Sequence, residues 1–259
     1  MELKAELSYW LRPVNKLFKD FRKQTINYKN HKKRRIFIDR GSDILFIAHL
    51  DTVLPPRLIK QTKDRVYATG LDDRLGCMVA YNLSLEFGVD LLLTDNEEIG
   101  KTTAFYHDCK DYKWIAEFDR AGSDVVTYDL DNEQFHNDLD DCFAIGIGSY
   151  SDICSLDTLA CCVNIGIGYR KAHNKDSYVD ISILKKQTEK FREFYAEHKD
   201  TKYTQRIWTQ YNDYGYSYNG NGYDYDCDCD RCGDNNAEPI FEYFLCESCI
   251  EILVLELHI

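Results

Sequence analysis

His49 and Asp51, two residues apart, close the apolar run Ile44-Leu45-Phe46-Ile47-Ala48. A run of this length reads as a buried strand, central in a sheet. A histidine at its end is either a core residue satisfied by the nearby carboxylate or a metal ligand whose ring that carboxylate holds. Further along, Gly70-Leu71-Asp72-Asp73-Arg74-Leu75-Gly76 follows a strand and opens a helix, so Asp72 or Asp73 can also serve as a cap and complement the helix dipole. Glu97 and Glu98 stand together after the apolar run Leu91-Leu92-Leu93, where adjacent carboxylates are costly if buried unpaired. Asp119 ends the segment Trp114-Ile115-Ala116-Glu117-Phe118, and His173 follows Asn164-Ile165-Gly166-Ile167-Gly168.

Each of these signals is weak alone. Together, strand ends present His, Asp, Glu, Asp and His on the edge where open α/β sheets place their sites. Clustered carboxylates repel unless a cation neutralises them, and two imidazoles among them favour zinc or a similar transition metal over calcium. Five donors exceed what one tetrahedral catalytic site uses, since such a site keeps a position open for water. Two metals sharing a carboxylate fit the count.

The elements that must position these groups follow from periodicity. Strands are predicted at 35–39, 44–50, 66–69, 89–94, 113–118, 124–129 and 161–168, and helices at 73–87, 133–144 and 182–198. Leu75, Met78, Val79 and Leu83 give the first of these helices one apolar face. The alternation implies an α/β fold, a three-layer sandwich on a mixed, mostly parallel central sheet. Leu3, Leu7, Trp10, Leu11, Val14 and Leu17 fall at helical spacing, with Pro13 breaking or kinking the segment. The glycines of Ile165-Gly166-Ile167-Gly168 leave room for a substrate backbone to approach.

The order His-x-Asp, Gly-x-Asp-Asp-Arg-x-Gly, Glu-Glu, Asp, His resembles the co-catalytic zinc exopeptidase superfamily, which includes zinc aminopeptidases, glutamate carboxypeptidases and acetylornithine-type deacetylases. The match runs over about residues 36–185. The resemblance implies that His49, Asp72 and Asp119 hold one metal, and that Asp72 bridges to a second completed by Glu98 and His173. It implies that Asp51 fixes the tautomer of His49 and that Glu97 is the general base, a role suited to a carboxylate beside a metal-activated water. The gaps from His49 to Asp72 and from Asp119 to His173 are too short for the lid or dimerisation domain that many relatives insert. Single-domain, aminopeptidase-like members are the nearest pattern. A side chain that stabilises the oxyanion from such a lid would be missing, with Tyr150, Tyr169 and Tyr178 as substitutes.

The expected activity is cleavage of peptide bonds at a chain end, by an aminopeptidase using two zinc ions. The alternatives are a deacylase of N-acyl amino acids and a non-catalytic binding protein.

Composition bounds the rest. The net charge is −12, which argues against a protein that coats nucleic acid, yet residues 1–40 hold twelve Lys/Arg against four Asp/Glu, including the cluster at 29–35. That cluster reads as a solvated loop. No apolar run is long enough for a bilayer, no secretion signal is visible, and eleven cysteines, an odd count with those at 77, 154, 161 and 162 in apolar surroundings, fit the cytoplasm better than a disulfide framework. Residues 1–198 are expected to form the catalytic domain and 199–226, rich in Tyr, Asn, Gly and Asp, a linker. Residues 227–259 are expected to form a zinc ribbon. There Cys229 and Cys232, then Cys246 and Cys249, form two Cys-x-x-Cys pairs spaced to close one structural zinc site, its partner a protein or a nucleic acid.

Overall fold

The computed structural model describes residues 3–28, 33–206, 237–240 and 243–246. The chain divides into two compact units, Met1–Ile207 and Trp208–Ile259.

In the first unit, α1 (Leu3–Trp10) and α2 (Val14–Asp20) lead into β1 (Thr25–Tyr28), β2 (Lys33–Ile38) and β3 (Ile44–His49). Then come β4 (Arg57–Gln61), β5 (Arg65–Thr69), α3 (Leu71–Phe87), β6 (Asp90–Thr94), β7 (Trp114–Arg120) and β8 (Asp124–Val126). The unit closes with α4 (Glu133–Asp140), β9 (Ala144–Ile145), β10 (Cys161–Gly166), β11 (Tyr169–Arg170), β12 (Tyr178–Asp180) and α5 (Ile181–His198). Eight strands make one mixed sheet in the order β1-β2-β6-β3-β7-β10-β8-β9. Its centre, β6-β3-β7-β10, is parallel throughout, so these four strands point their carboxyl ends to one edge.

Side chains alternate across the sheet, as the period of a strand requires. Ile44, Phe46 and Ala48 of β3 join the core under α3 and α5, while Leu45 and Ile47 join a smaller core on the other face. The layers are therefore unequal. The first face carries the helices: Leu75, Met78, Val79 and Leu83 of α3 are buried, and Phe191 and Phe194 of α5 pack around Phe46 and Trp114. The second face is covered by coil and by 3-10 turns at Ala104–Tyr106 and Asp152–Ser155. A second sheet, β11-β12-β5-β4, lies outside the central one.

Pro13 separates α1 from α2 as its ring geometry demands. Arg74, fully buried at the head of α3, donates from Nη1 to the carbonyls of Trp10 (2.8 Å) and Arg12 (3.1 Å) and so ties the amino-terminal helices to the segment bearing Asp72.

Several expectations are corrected. Of the basic cluster, Lys33, Arg34 and Arg35 belong to β2 rather than to a solvated loop. Arg35 is buried, and Arg34 lies over the Phe18 ring and faces Asp95. The helix predicted at 133–144 is shorter, Glu133–Asp140, and is capped by Asn132, which accepts from the Phe135 amide. The first unit also extends past 198: Tyr203 is buried beside Phe135, and Thr204 bridges Ala160. Gly166 leaves room for the chain's own backbone and not a substrate's, since a Cβ there would meet the Asp124 carbonyl at 2.6 Å.

In the second unit β13 (Ala237–Ile240) and β14 (Tyr243–Cys246) pair antiparallel, with Ala237 opposite Cys246. Cys229, Cys232 and Cys249 lie outside the described residues, as does the side chain of Cys246, and with them the expected zinc ribbon.

Candidate metal centre

The carboxyl edge of the central strands gathers the acids and imidazoles from separate chain segments. His49 is the last residue of β3 and is fully buried. Asp119 lies near the end of β7, which pairs parallel to β3. Glu97 and Glu98 occupy a 3-10 turn just after β6, entered through Asn96 in the left-handed region. Asp72 stands at the head of α3, where Asp72 (φ −83°, ψ 103°) and Asp73 (φ −120°, ψ 39°) are not helical. His173 sits in the turn between β11 and β12 with φ +58°.

Asp72 and Asp73 consequently do different work. Asp73 is buried; its Oδ2 accepts from the His49 amide at 3.1 Å and its Oδ1 from the Gly76 amide at 3.0 Å. It caps the regular part of α3 and ties that helix to β3. Asp72 is left to face the imidazoles. Its Oδ1 lies 3.3 Å from His49 Nε2 and its Oδ2 3.1 Å from His173 Nε2. Asp119 Oδ1 stands 3.4 Å from His49 Nε2, and Glu98 Oε2 2.9 Å from His173 Nε2. Two groups of potential ligand atoms result among the described residues, each within 4.8 Å: His49, Asp72 and Asp119; and Asp72, Glu98 and His173. Asp72 is common to both.

Asp51 has a double position. Its Oδ1 lies 3.4 Å from His49 Nδ1, the ring nitrogen turned away from Asp72. The same carboxylate accepts from the amides of Glu97 (3.1 Å) and Glu98 (2.9 Å), so it also holds the turn that carries both glutamates. Glu97 Oε2 comes within 3.6 Å of His49 Nε2.

The donor set fits divalent cations. Nε2 of His49, Oε1 of Glu98 and Oδ1 of Asp119 are buried with no hydrogen-bond partner, a costly state for polar atoms unless something else satisfies them. Imidazole nitrogen mixed with carboxylate oxygen is a transition-metal set. The electrostatics point the same way. Burial pushes Asp119 well above the ordinary carboxylate range, partly offset by His49 and reinforced by Asp72. Burial opposes a charge on His49, yet Asp119 beside it prevails and raises its pKa well above the usual value. Burial lifts Glu97 to about 7, with His49 offsetting and Asp152 and Glu98 adding. Negative charge is in excess here, and positive charge is what relieves it.

Around the donors lies a polar layer that sequence reasoning missed. Asn164 on β10 accepts from the Asp119 amide (3.0 Å) and donates to Ser151 (2.9 Å) and Tyr128 (3.2 Å). Ser151 in turn donates to the buried Glu117, and Thr94 to the buried Asp152. Nothing in periodicity marks these residues; only a polar type inside an apolar strand, as at Asn164, was available as a signal. Of the three tyrosines, Tyr169 is buried and donates to the Asp119 carbonyl (3.1 Å), and Tyr178 lies against Tyr67. Tyr150 is partly exposed, its hydroxyl 2.6 Å from Ser155 Oγ.

No family model matches this chain, and no curated protein does. Solved structures do. The aminopeptidase PepT from Bacillus cereus superposes with a TM-score of 0.52 at 11% identity, over 70% of this chain and 91% of that one. The TET1 peptidase of Pyrococcus horikoshii, described as assembling into a tetrahedron or an octahedral shell, superposes at 0.53 and 10% identity, over 72% and 97%. The chain shares the fold of these two peptidases. At such identities the likeness is one of backbone, so the shared fold accounts for where the strand ends converge, and the chemistry rests on the side chains found there.

Proposed function

We propose that this protein is a dinuclear metal-dependent exopeptidase that removes amino-terminal residues from peptides. One observation carries the reading: two donor groups share Asp72, with Glu97 beside them and belonging to neither. His49, Asp72 and Asp119 would hold one ion, and Asp72, Glu98 and His173 the other. When bound, two divalent ions, taken to be zinc, supply Lewis acidity that polarises the scissile carbonyl and acidifies water.

The chain's own groups do the rest. Glu97 would take a proton from the attacking water and pass it to the leaving amine, the role open to a carboxylate that lies beside the centre and belongs to neither donor group. Asp51 keeps the proton of His49 on Nδ1, leaving Nε2 free as a ligand, and holds Glu97 in place through its backbone amide. The aminopeptidases that share the fold support peptides over N-acyl amino acids as substrates. Cys229, Cys232, Cys246 and Cys249 are proposed to hold a structural zinc. Among the described residues Cys77, Cys109, Cys142, Cys161 and Cys162 are free thiols, which supports a reducing compartment such as the cytoplasm.

The test is release of free amino acids from short unblocked peptides by purified protein, abolished by a chelator and restored by zinc. Metal analysis should give three ions per chain, two at the centre and one at the cysteines. A Glu97→Ala protein that kept full activity would defeat the mechanism.

A further inference from the structure

Beside the second donor group a groove of about 600 Å³ opens, lined by Leu54, Pro55, Pro56, Arg57, Thr69 and Lys175 among others. Its walls are built from the segments that carry the centre. The loop after Asp51 is pinned by Thr69 Oγ1, which donates to the Pro55 carbonyl at 2.7 Å, and by Thr52 Oγ1, which donates to Leu54 at 2.9 Å. Two consecutive prolines fix the backbone there. The loop presses on Gly70, whose φ of +70° suits glycine and where a Cβ would meet Pro56 Cβ at 2.9 Å. Gly70 leads within two residues to Asp72. Lys175 belongs to the turn that presents His173, closed by the bonds from Asn174 to Lys171 (3.2 Å) and from Ser177 to Asn174 (3.2 Å).

The charge of the groove is opposite to that of the centre. Arg57 and Lys175 are exposed, and neither is paired with an acid among the described residues. In a chain of net charge −12, next to five clustered carboxylates, they form a local positive edge on an apolar channel. We infer that the groove holds the carboxyl-terminal end of a short peptide, its free carboxylate lying between Arg57 and Lys175. This reading rests on the exopeptidase assignment and narrows the substrate to short peptides with an unblocked terminus.

The lengths agree. His173 and Lys175 are two residues apart, so their Cα atoms are separated by at most about 7 Å, which is also the reach of two peptide residues beyond a scissile carbonyl. A tripeptide cut after its first residue has a reach of the same order, so its terminal carboxylate would extend toward Lys175. Arginine offers a planar fork and lysine a point charge to such a group.

The experiment compares Leu-Gly-Gly with its carboxyl-terminal amide, and a hexapeptide with its amide, in the presence of zinc. Binding is read by calorimetry on Glu97→Gln protein and turnover on the native protein. Exposed ion pairs are individually weak, so the free tripeptide should bind about tenfold more tightly than its amide. KM should follow, and the hexapeptide pair should show no preference. Arg57→Glu/Lys175→Glu should invert the preference, and Arg57→Lys/Lys175→Arg should retain it. Equal affinity for the tripeptide acid and amide, or a preference unmoved by charge reversal, would overturn the proposal. Preference without hydrolysis would sink the exopeptidase reading and leave the groove standing. Hydrolysis without preference would do the reverse.

Discussion

The Glu97 carboxylate lies 3.6 Å from His49 Nε2 while its neighbour Glu98 lies 2.9 Å from His173 Nε2. Adjacent glutamates are thus divided between two histidines, and the division separates their expected roles. Glu97→Gln should keep its full metal content and lose about 10²–10⁴-fold in kcat, the usual worth of a positioned general base. Metal analysis beside steady-state kinetics checks this. Loss of metal together with activity would make Glu97 a ligand instead.

Asp72 is the residue common to both donor groups. Asp72→Asn should therefore lower metal content at both positions at once, whereas His173→Ala should spare the ion at His49 and Asp119. Activity should fall at least about 10³-fold in the Asp72 variant, since both ions contribute to charge stabilisation. Titration of each variant with zinc, followed by calorimetry, distinguishes the patterns.

Gly76 sits against Asp73 and the Phe118 carbonyl, where a Cβ would stand inside van der Waals contact with both. Gly76→Ala must displace the carboxylate that accepts the amides of His49 and Gly76, or push α3 away from β7. A loss of about 3 kcal/mol or more is expected, at the high end for single substitutions. Denaturant unfolding measures it, and a neutral result would mean that α3 can shift freely.

His107 is buried against Phe37, its Nε2 has no hydrogen-bond partner, and burial with Arg35 nearby lowers its pKa to about 4. The unfolded chain takes up this proton near pH 6.5 and the folded chain does not. Stability should be intact above pH 6.5, fall as the pH drops from there to about 4, and level off below, by on the order of 3 kcal/mol in all. Comparison of His107→Phe with the native protein across that window isolates the contribution; identical pH profiles would refute it.

The sequence is most readable where burial dictates residue type. The strands at 44–50, 89–94 and 161–168, expected from their apolar runs, correspond to β3, β6 and β10, and α3 buries the expected Leu75, Met78, Val79 and Leu83. The donors stand out because charged residues at the ends of such strands need a reason. The second sheet was less visible: β4 is largely exposed, and β11 and β12 are too short to carry a period. The difference between Asp72 and Asp73 was also hidden, because it depends on backbone dihedrals at the helix entry and not on side-chain type. The layer of Asn164, Ser151 and Thr94 meets only through long-range pairing, which no local pattern encodes.

The two halves of the centre differ in their access to water. The His49 side chain is 0% exposed and that of His173 48%. Cations in the proposed pair would accordingly not be equivalent: one, beside a buried imidazole at the strand ends, would exchange slowly, and the other, beside an open imidazole, would come and go readily. Brief dialysis should therefore yield a half-occupied protein that accepts a different metal at the outer position, a route to hybrid centres with spectroscopic labels.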